Sequence, residues 1–231
     1  MKININNLII EVTRRCNMQC KHCLRWDAEN LDMNLDYVEN IFKQISTIWS
    51  ITFSWWEPSL VPDIIKWVLN LANKYNISIW NFYIATNWKF ISDKFIKVCM
   101  DLYLYCYDKE YCLINLSNDI YHQEFDWWID WEKLTMFKFA AKKNEKDNTD
   151  YWKWLIKEWR AYTIWYRQTT SSRFIIENYD DEIVINDWEL YLNCNWELIS
   201  WCDLSYENQS YHKICDSNED FLEIIKKDFT N

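Results

Sequence analysis

No residue of this chain is glycine, and that absence constrains its backbone more than any other feature. Tight turns and close backbone approaches need positive φ, which glycine reaches without a steric penalty and a bulky residue reaches only under strain. Tryptophan stands in the gap. There are 17 Trp in 231 residues, 17/231 or 7.4%, close to the average glycine share of about 7%. Several stand where a turn glycine belongs: Asn87-Trp88, Asp187-Trp188 and Asn195-Trp196 read as Asn-Gly and Asp-Gly turns. Most or all Trp are therefore expected to stand for Gly, through a stop codon reassigned to glycine but translated as Trp, or through deliberate replacement. Trp67 lies inside the helical pattern Ile64-Ile65-x-x-Val68-Leu69 and can be a true tryptophan.

Chemistry concentrates after the first apolar run, Leu8-Ile9-Ile10-Glu11-Val12, where Cys16, Cys20 and Cys23 are spaced C-x3-C-x2-C. A structural zinc site closes with four protein ligands, and iron-sulfur clusters are normally held by four thiolates. Three cysteines on one loop fit a cluster that keeps one iron open, half of a zinc site, or free thiols. A second stretch, Ser54-Trp55-Trp56-Glu57-Pro58, closes the apolar run Ile51-Thr52-Phe53. Two adjacent indoles crowd a strand-to-loop junction that usually needs room. With Gly for Trp it reads Ser-Gly-Gly-Glu-Pro, and Ala85-Thr86-Asn87-Trp88 reads Ala-Thr-Asn-Gly.

Strand and helix patterns alternate along the first half. Leu8 to Val12, Ile51 to Ser54, Ile79 to Ala85 and Leu113 to Ser117 read as strands, with Leu134 to Ala140 as a fifth. Leu35, Val38, Ile41, Phe42, Ile45 and Ile48 predict an amphipathic helix capped by Asn34. Pro62 opens a second helix and Ser92 caps a third. Lys142 to Asp150 reads as a charged loop and Leu155 to Ala161 as a helix. This order predicts parallel βαβ units: an α/β fold, a partial (β/α)6 barrel of parallel strands with a small β-rich C-terminal extension. Residues 1–180 form the core and 181–231 the extension, with short strands Ile183 to Ile185, Leu190 to Leu192 and Leu198-Ile199. In barrels the working residues sit at the C-terminal strand ends, which is where the Cys loop, Ser54 to Glu57, Thr86-Asn87 and Ser117 to Asp119 fall.

The three motifs in this order resemble the radical S-adenosylmethionine (radical SAM) superfamily, well over residues 5–120 and loosely beyond. The resemblance implies a 4Fe-4S cluster on Cys16, Cys20 and Cys23, with S-adenosylmethionine on the open iron. Reduction would cleave that cofactor to a 5′-deoxyadenosyl radical, which abstracts hydrogen from a substrate. Residues at Trp55 and Trp56, with Ser54 and Glu57, would hold the methionine end, and Ser117 and Asp119 the ribose hydroxyls. Thr86 and Asn87 would floor the site. His22 stands before the last Cys, where the family often has an aromatic residue against the adenine. The tail is similar to SPASM or twitch auxiliary-cluster tails, so Cys194, Cys202 and Cys215 are candidates for a second iron-sulfur cluster, with buried thiols as the other reading. A reductant such as a flavodoxin or ferredoxin and a peptide or protein substrate follow from the same resemblance.

Another class of function fits the residues too: a non-catalytic iron-sulfur or zinc-binding protein, serving as an electron carrier or structural site. A barrel that binds without turnover is a third. The N terminus lacks the apolar core of a secretion signal and no run of about 18 apolar residues occurs, so the chain is expected to be cytoplasmic, with no membrane partner. Nine Cys then point to metal or redox chemistry. A net charge of −10 without a basic block argues against nucleic acid.

Overall fold

In the computed structural model, residues 2–21, 23, 25, 27–117, 122, 137–142, 176–179, 182–186, 190–200 and 205–229 are described. Isoleucine-rich segments pair in parallel at the N terminus. Strand β1 (Lys2–Ile10) lies beside β2 (Ile45–Phe53), then β3 (Ser78–Thr86), β4 (Leu113–Leu116) and β5 (Ala140–Lys142), each parallel to its neighbour. Parallel neighbours need crossovers, supplied by α1 (Leu35–Phe42), α2 (Pro62–Lys74) and α3 (Asp93–Tyr105) between the first four strands. The chain is an α/β protein with the partial parallel barrel expected from its sequence.

Local signals set the helix starts. The Asn34 side chain accepts from the Asp36 amide and Ser92 from that of Phe95, while Pro62 takes the first turn of α2, where its missing N–H costs nothing. The apolar faces of α1 (Val38, Ile41, Phe42), α2 (Ile65, Val68, Leu69) and α3 (Phe95, Val98, Leu102) are buried in one core with Ile51, Phe53, Phe82 and Ile84 of the strands. Each such side chain contributes about 1.5–3 kcal/mol relative to exposure.

Two sequence expectations are corrected. Residues 137–139 form a turn and the fifth strand is Ala140–Lys142 rather than Leu134 to Ala140. The first helix is also shorter than its apolar spacing implies. Helix α1 stops at Phe42, and Ile45 and Ile48 belong to β2. Their spacing of three mimics a helix face, but Ile45-Ser46-Thr47-Ile48 is largely β-branched and packs better on a pleated surface. Gln44 marks the change, its amide reaching the Ile41 carbonyl at 3.0 Å.

The C-terminal segments join the same sheet. Strands β7 (Glu182–Ile185) and β8 (Leu190–Leu192) run parallel to β1 on its free side, opposite residues 2–5 and 8–10. Strand β6 (Ile176–Tyr179) pairs antiparallel with β7; β9 (Glu197–Ile199) and β10 (Lys213–Asp216) continue antiparallel from β8. A short helix α4 (Tyr206–Gln209) and a terminal α5 (Phe221–Phe229) complete the chain. No helix among the described residues is long and apolar enough to cross a membrane.

Among the described residues four have positive φ: Trp55 at 87°, Asn76 at 54°, Trp88 at 62° and Trp196 at 61°. Asn76 follows α2, and asparagine tolerates this region. The other three are tryptophans, for which left-handed backbone costs roughly 1–2 kcal/mol each. Trp88 and Trp196 end the two Asn-Trp turns. Asp187-Trp188, the third such dipeptide, lies outside the described residues.

Candidate functional site

Four parallel strands deliver their C-terminal ends to one cavity of about 220 Å³. The loop after β1 brings Cys16, Cys20 and Cys23; the turn after β2 brings Ser54, Trp55, Trp56 and Glu57; β3 brings Thr86 and Asn87, and β4 brings Ser117. His122 also lines it. His22 and Asp119 lie outside the described residues, and so does Cys202.

Glu57 holds these strand ends together. Its carboxylate is fully buried and accepts from the Ser59 amide at 3.1 Å, the Thr86 hydroxyl at 2.5 Å and the Asn87 amide at 2.7 Å. Its own amide donates to the Arg15 carbonyl at 3.1 Å. Burial lifts the Glu57 carboxyl above its ordinary range, and the hydrogen bonds only partly offset this. Thr86 and Asn87 are thereby fixed, and the Asn87 side-chain amide contacts Cys16 Sγ at 3.8 Å and Asn17 Oδ1 at 2.8 Å. Burial, followed by the negative field of Glu57, pushes the Cys16 thiol up to about 12. A metal or cluster taking Cys16 must displace a firmly held proton.

All three cysteines line the cavity, yet no three His, Cys, Asp or Glu among the described residues are grouped to hold a single metal ion. In an iron-sulfur cluster each thiolate takes its own iron, so the sulfurs need not meet at one point. Three thiolates on one loop are a donor set that fits an iron-sulfur cluster with one iron left open. The indoles fit less well. Trp55 is held at positive φ with its Nε1 buried and without a hydrogen-bond partner. Trp56 is buried and donates to the Tyr206 hydroxyl at 2.6 Å. With both present, the cavity falls below the roughly 300–1,000 Å³ of ordinary ligand sites.

Behind the indoles lies a buried polar network that sequence reasoning missed. Glu11, at the end of β1, accepts from Arg14 Nε at 3.2 Å, the Cys194 amide at 2.8 Å and the Tyr206 hydroxyl at 2.5 Å. Burial opposes the Arg14 cation, but Glu11 and Tyr206 outweigh it and hold its proton more firmly than usual. Arg25, fully buried, sits over the rings of Trp55 at 4.2 Å and Tyr191 at 5.1 Å. The one available signal was Glu11 itself, a carboxylate inside an apolar run. Arg14 is near at hand, but the two other partners of Glu11 lie 183 and 195 residues away in sequence.

Cys194 donates its thiol to the Glu11 carbonyl at 3.0 Å, and burial holds its proton on strongly. Cys215 is buried, its thiol also pushed up to about 12 by desolvation. These two contribute packing and a hydrogen bond in this structure.

No family model matches the chain. The uncharacterized protein MJ0907 of Methanocaldococcus jannaschii is 29% identical over 106 residues, covering 42% of this chain and 36% of that protein. The match thus spans about a third of that relative's length. Among solved structures, anSMEcpe with bound AdoMet (S-adenosylmethionine) superposes with a TM-score of 0.54 at 12% identity, over 96% of this chain and 80% of that one. Native anSMEcpe with AdoMet and the Cp18Cys peptide gives 0.55 at 12%, over 99% and 81%. The chain shares their fold. At this identity the likeness speaks to architecture, and chemistry has to be argued from the residues.

Proposed function

We propose that this chain is a radical SAM enzyme acting on a peptide or protein, with glycine at positions 55 and 56 in the functional form. The observation that carries the reading is the convergence of Cys16, Cys20, Cys23, the Glu57 turn and Asn87 on one cavity at the strand ends. A 4Fe-4S cluster with S-adenosylmethionine supplies, when bound and reduced, the 5′-deoxyadenosyl radical that takes hydrogen from the substrate. The chain supplies placement and exclusion. Cys16, Cys20 and Cys23 hold the cluster, and Asn87 steadies the Cys16 sulfur through its amide. Glu57, spent on Ser59, Thr86 and Asn87, keeps the 54–57 turn at the depth where its backbone, freed of two indoles, can meet the methionine end. Ser117 and Asp119 take the ribose hydroxyls and His22 the adenine. The buried network behind the turn keeps water from the back of the site. A peptide substrate is favoured because a protein of the same fold holds AdoMet together with a peptide. A flavodoxin or ferredoxin would deliver the electron.

Anaerobic reconstitution tests the cluster. About four irons per chain are expected, lost on Cys16→Ala, Cys20→Ala or Cys23→Ala because no fourth thiolate replaces the missing one. One tightly bound zinc instead would favour the non-catalytic reading. Iron persisting in the triple variant would assign a second cluster to Cys194, Cys202 and Cys215.

A further inference from the structure

The two indoles at the cavity are packed as a bound residue would be. Ile9 of β1, Tyr191 of β8 and Ile199 of β9 stand in register across three neighbouring strands and form a small cluster apart from the main core. The Trp55 ring packs on this cluster while also lining the cavity. Arg25, fully buried, lies over the same ring with its guanidinium carbon 4.2 Å from the centroid, and 5.1 and 5.6 Å from those of Tyr191 and Tyr206. These surroundings suit the carbons of the indole and not its nitrogen, since Trp55 Nε1 is buried without an acceptor. Trp56 is placed differently: its Nε1 donates to the Tyr206 hydroxyl at 2.6 Å, and that hydroxyl gives its own proton to Glu11 at 2.5 Å. The Tyr206 oxygen can therefore only accept from what stands in front of it.

We propose that, with glycine at residues 55 and 56, this space is a pocket for a phenylalanine residue of the peptide substrate, its ring on Arg25 and its backbone N–H on the Tyr206 oxygen. Such a pocket presupposes the radical SAM reading and gives its substrate a named residue. A phenyl ring keeps the apolar contacts and the cation–π attraction that the Trp55 ring makes now. It brings no ring N–H or O–H, whereas tyrosine or tryptophan buries a polar atom without an acceptor, as Trp55 does. An aliphatic side chain offers Arg25 no π face. The N–H of the bound residue replaces the Trp56 donor, so the Tyr206 oxygen stays satisfied. Tyr191, Ile199 and Tyr206 all belong to the C-terminal segments, and the pairing of β8 with β1 brings that part of the chain to Trp55. Recognition of the substrate side chain is thus the work of the extension.

Calorimetric titration of the full chain carrying Trp55→Gly and Trp56→Gly with N-acetylphenylalaninamide, without cluster or S-adenosylmethionine, reads the pocket directly. This probe should bind about tenfold more tightly than N-acetylleucinamide, N-acetyltyrosinamide or the α-amide of N-acetylaspartate. N-acetyl-N-methylphenylalaninamide, which lacks the backbone N–H, should bind more weakly too, and the wild type, with its pocket filled, should bind none of them. Arg25→Met should erase the preference for phenyl over leucyl while leaving the leucyl probe unchanged. Trp55→Phe and Trp55→Leu need no opened cavity and keep the same left-handed backbone, so their difference reads the site should the glycine pair fail to fold. Trp55→Phe should have the higher urea midpoint, and Arg25→Met should remove that lead. Equal binding of the phenyl, leucyl and N-methyl probes, adenosine competing with the phenyl probe, a preference untouched by Arg25→Met, or Trp55→Leu as stable as Trp55→Phe would overturn the proposal. The titration needs neither iron nor cofactor, so its failure leaves the cluster chemistry standing. Absent 5′-deoxyadenosine with the probe bound as expected would instead leave a phenyl-binding pocket without that chemistry.

Discussion

Trp196 offers a clean test of whether its position belongs to glycine. It is half-exposed, sits at φ 61°, and makes one edge-to-face ring contact, with Tyr37 at 5.5 Å. Trp196→Gly and Trp196→Ala both delete that contact, so its loss cancels between them. What remains is backbone. Alanine keeps a left-handed cost of roughly 1–2 kcal/mol, and glycine gives up about 0.5–1 kcal/mol of extra chain entropy. Glycine should win by roughly 0.5–1 kcal/mol. Trp67, equally exposed but inside α2, is the control, and there alanine should win by about 0.8–1.0 kcal/mol. The two preferences have opposite signs and differ by roughly 1.3–2 kcal/mol in total. Urea unfolding resolves that gap, and each kcal/mol is about 2–4 °C in Tm for a chain of this size. Alanine matching or exceeding glycine at position 196 would show that this turn does not favour glycine, whatever happens at position 67.

The raised Glu57 carboxyl keeps its proton in the folded chain after the unfolded chain has lost it, so its contribution to stability is full below pH 4.5 and is lost as pH rises through the folded value. Stability of the wild type relative to Glu57→Gln should therefore fall as pH rises from 4.5, by at most about 1.4 kcal/mol per unit; a relative stability that climbs with pH would mean that the three hydrogen bonds outweigh burial. Tyr206→Phe removes the hydroxyl between Glu11 and Trp56 and should cost about 1.5–3 kcal/mol in urea unfolding, because a buried carboxylate loses a donor. A cost under about 0.5 kcal/mol would show that water already serves Glu11 there.

Much of the fold was legible because its signals are local. Asn34, Pro62 and Ser92 start helices by chemistry confined to one turn, and three strands end close to where apolar runs stop, at Ile10, Phe53 and Thr86. Asn87-Trp88 and Asn195-Trp196 were legible as turns because the position after asparagine takes positive φ even with an indole in place. Ile45 and Ile48 misled because the register shift between Ile3 and Asn4 places one extra residue in β2, so two isoleucines three apart pair with Ile3 and Ile5 of β1. The Glu11–Arg14–Tyr206–Cys194 network was out of reach, since only the pairing of β8 with β1 brings the tail to Glu11. The role of Glu57 as a clamp on Thr86 and Asn87 was likewise hidden, because a carboxylate in a motif looks the same whether it faces a ligand or the protein's own amides.

With glycine at residues 55 and 56, the cavity is proposed to cleave S-adenosylmethionine. The chain with glycine at every Trp position, reconstituted anaerobically, reduced with dithionite and supplied with S-adenosylmethionine alone, should release 5′-deoxyadenosine slowly, since cleavage needs the open iron and a seated methionine rather than a hydrogen donor. Restoring Trp55 and Trp56 in that background should abolish release while leaving the iron content unchanged. No deoxyadenosine from the glycine form, with its cluster intact and reduced, would contradict the account and leave an iron-sulfur protein without this chemistry.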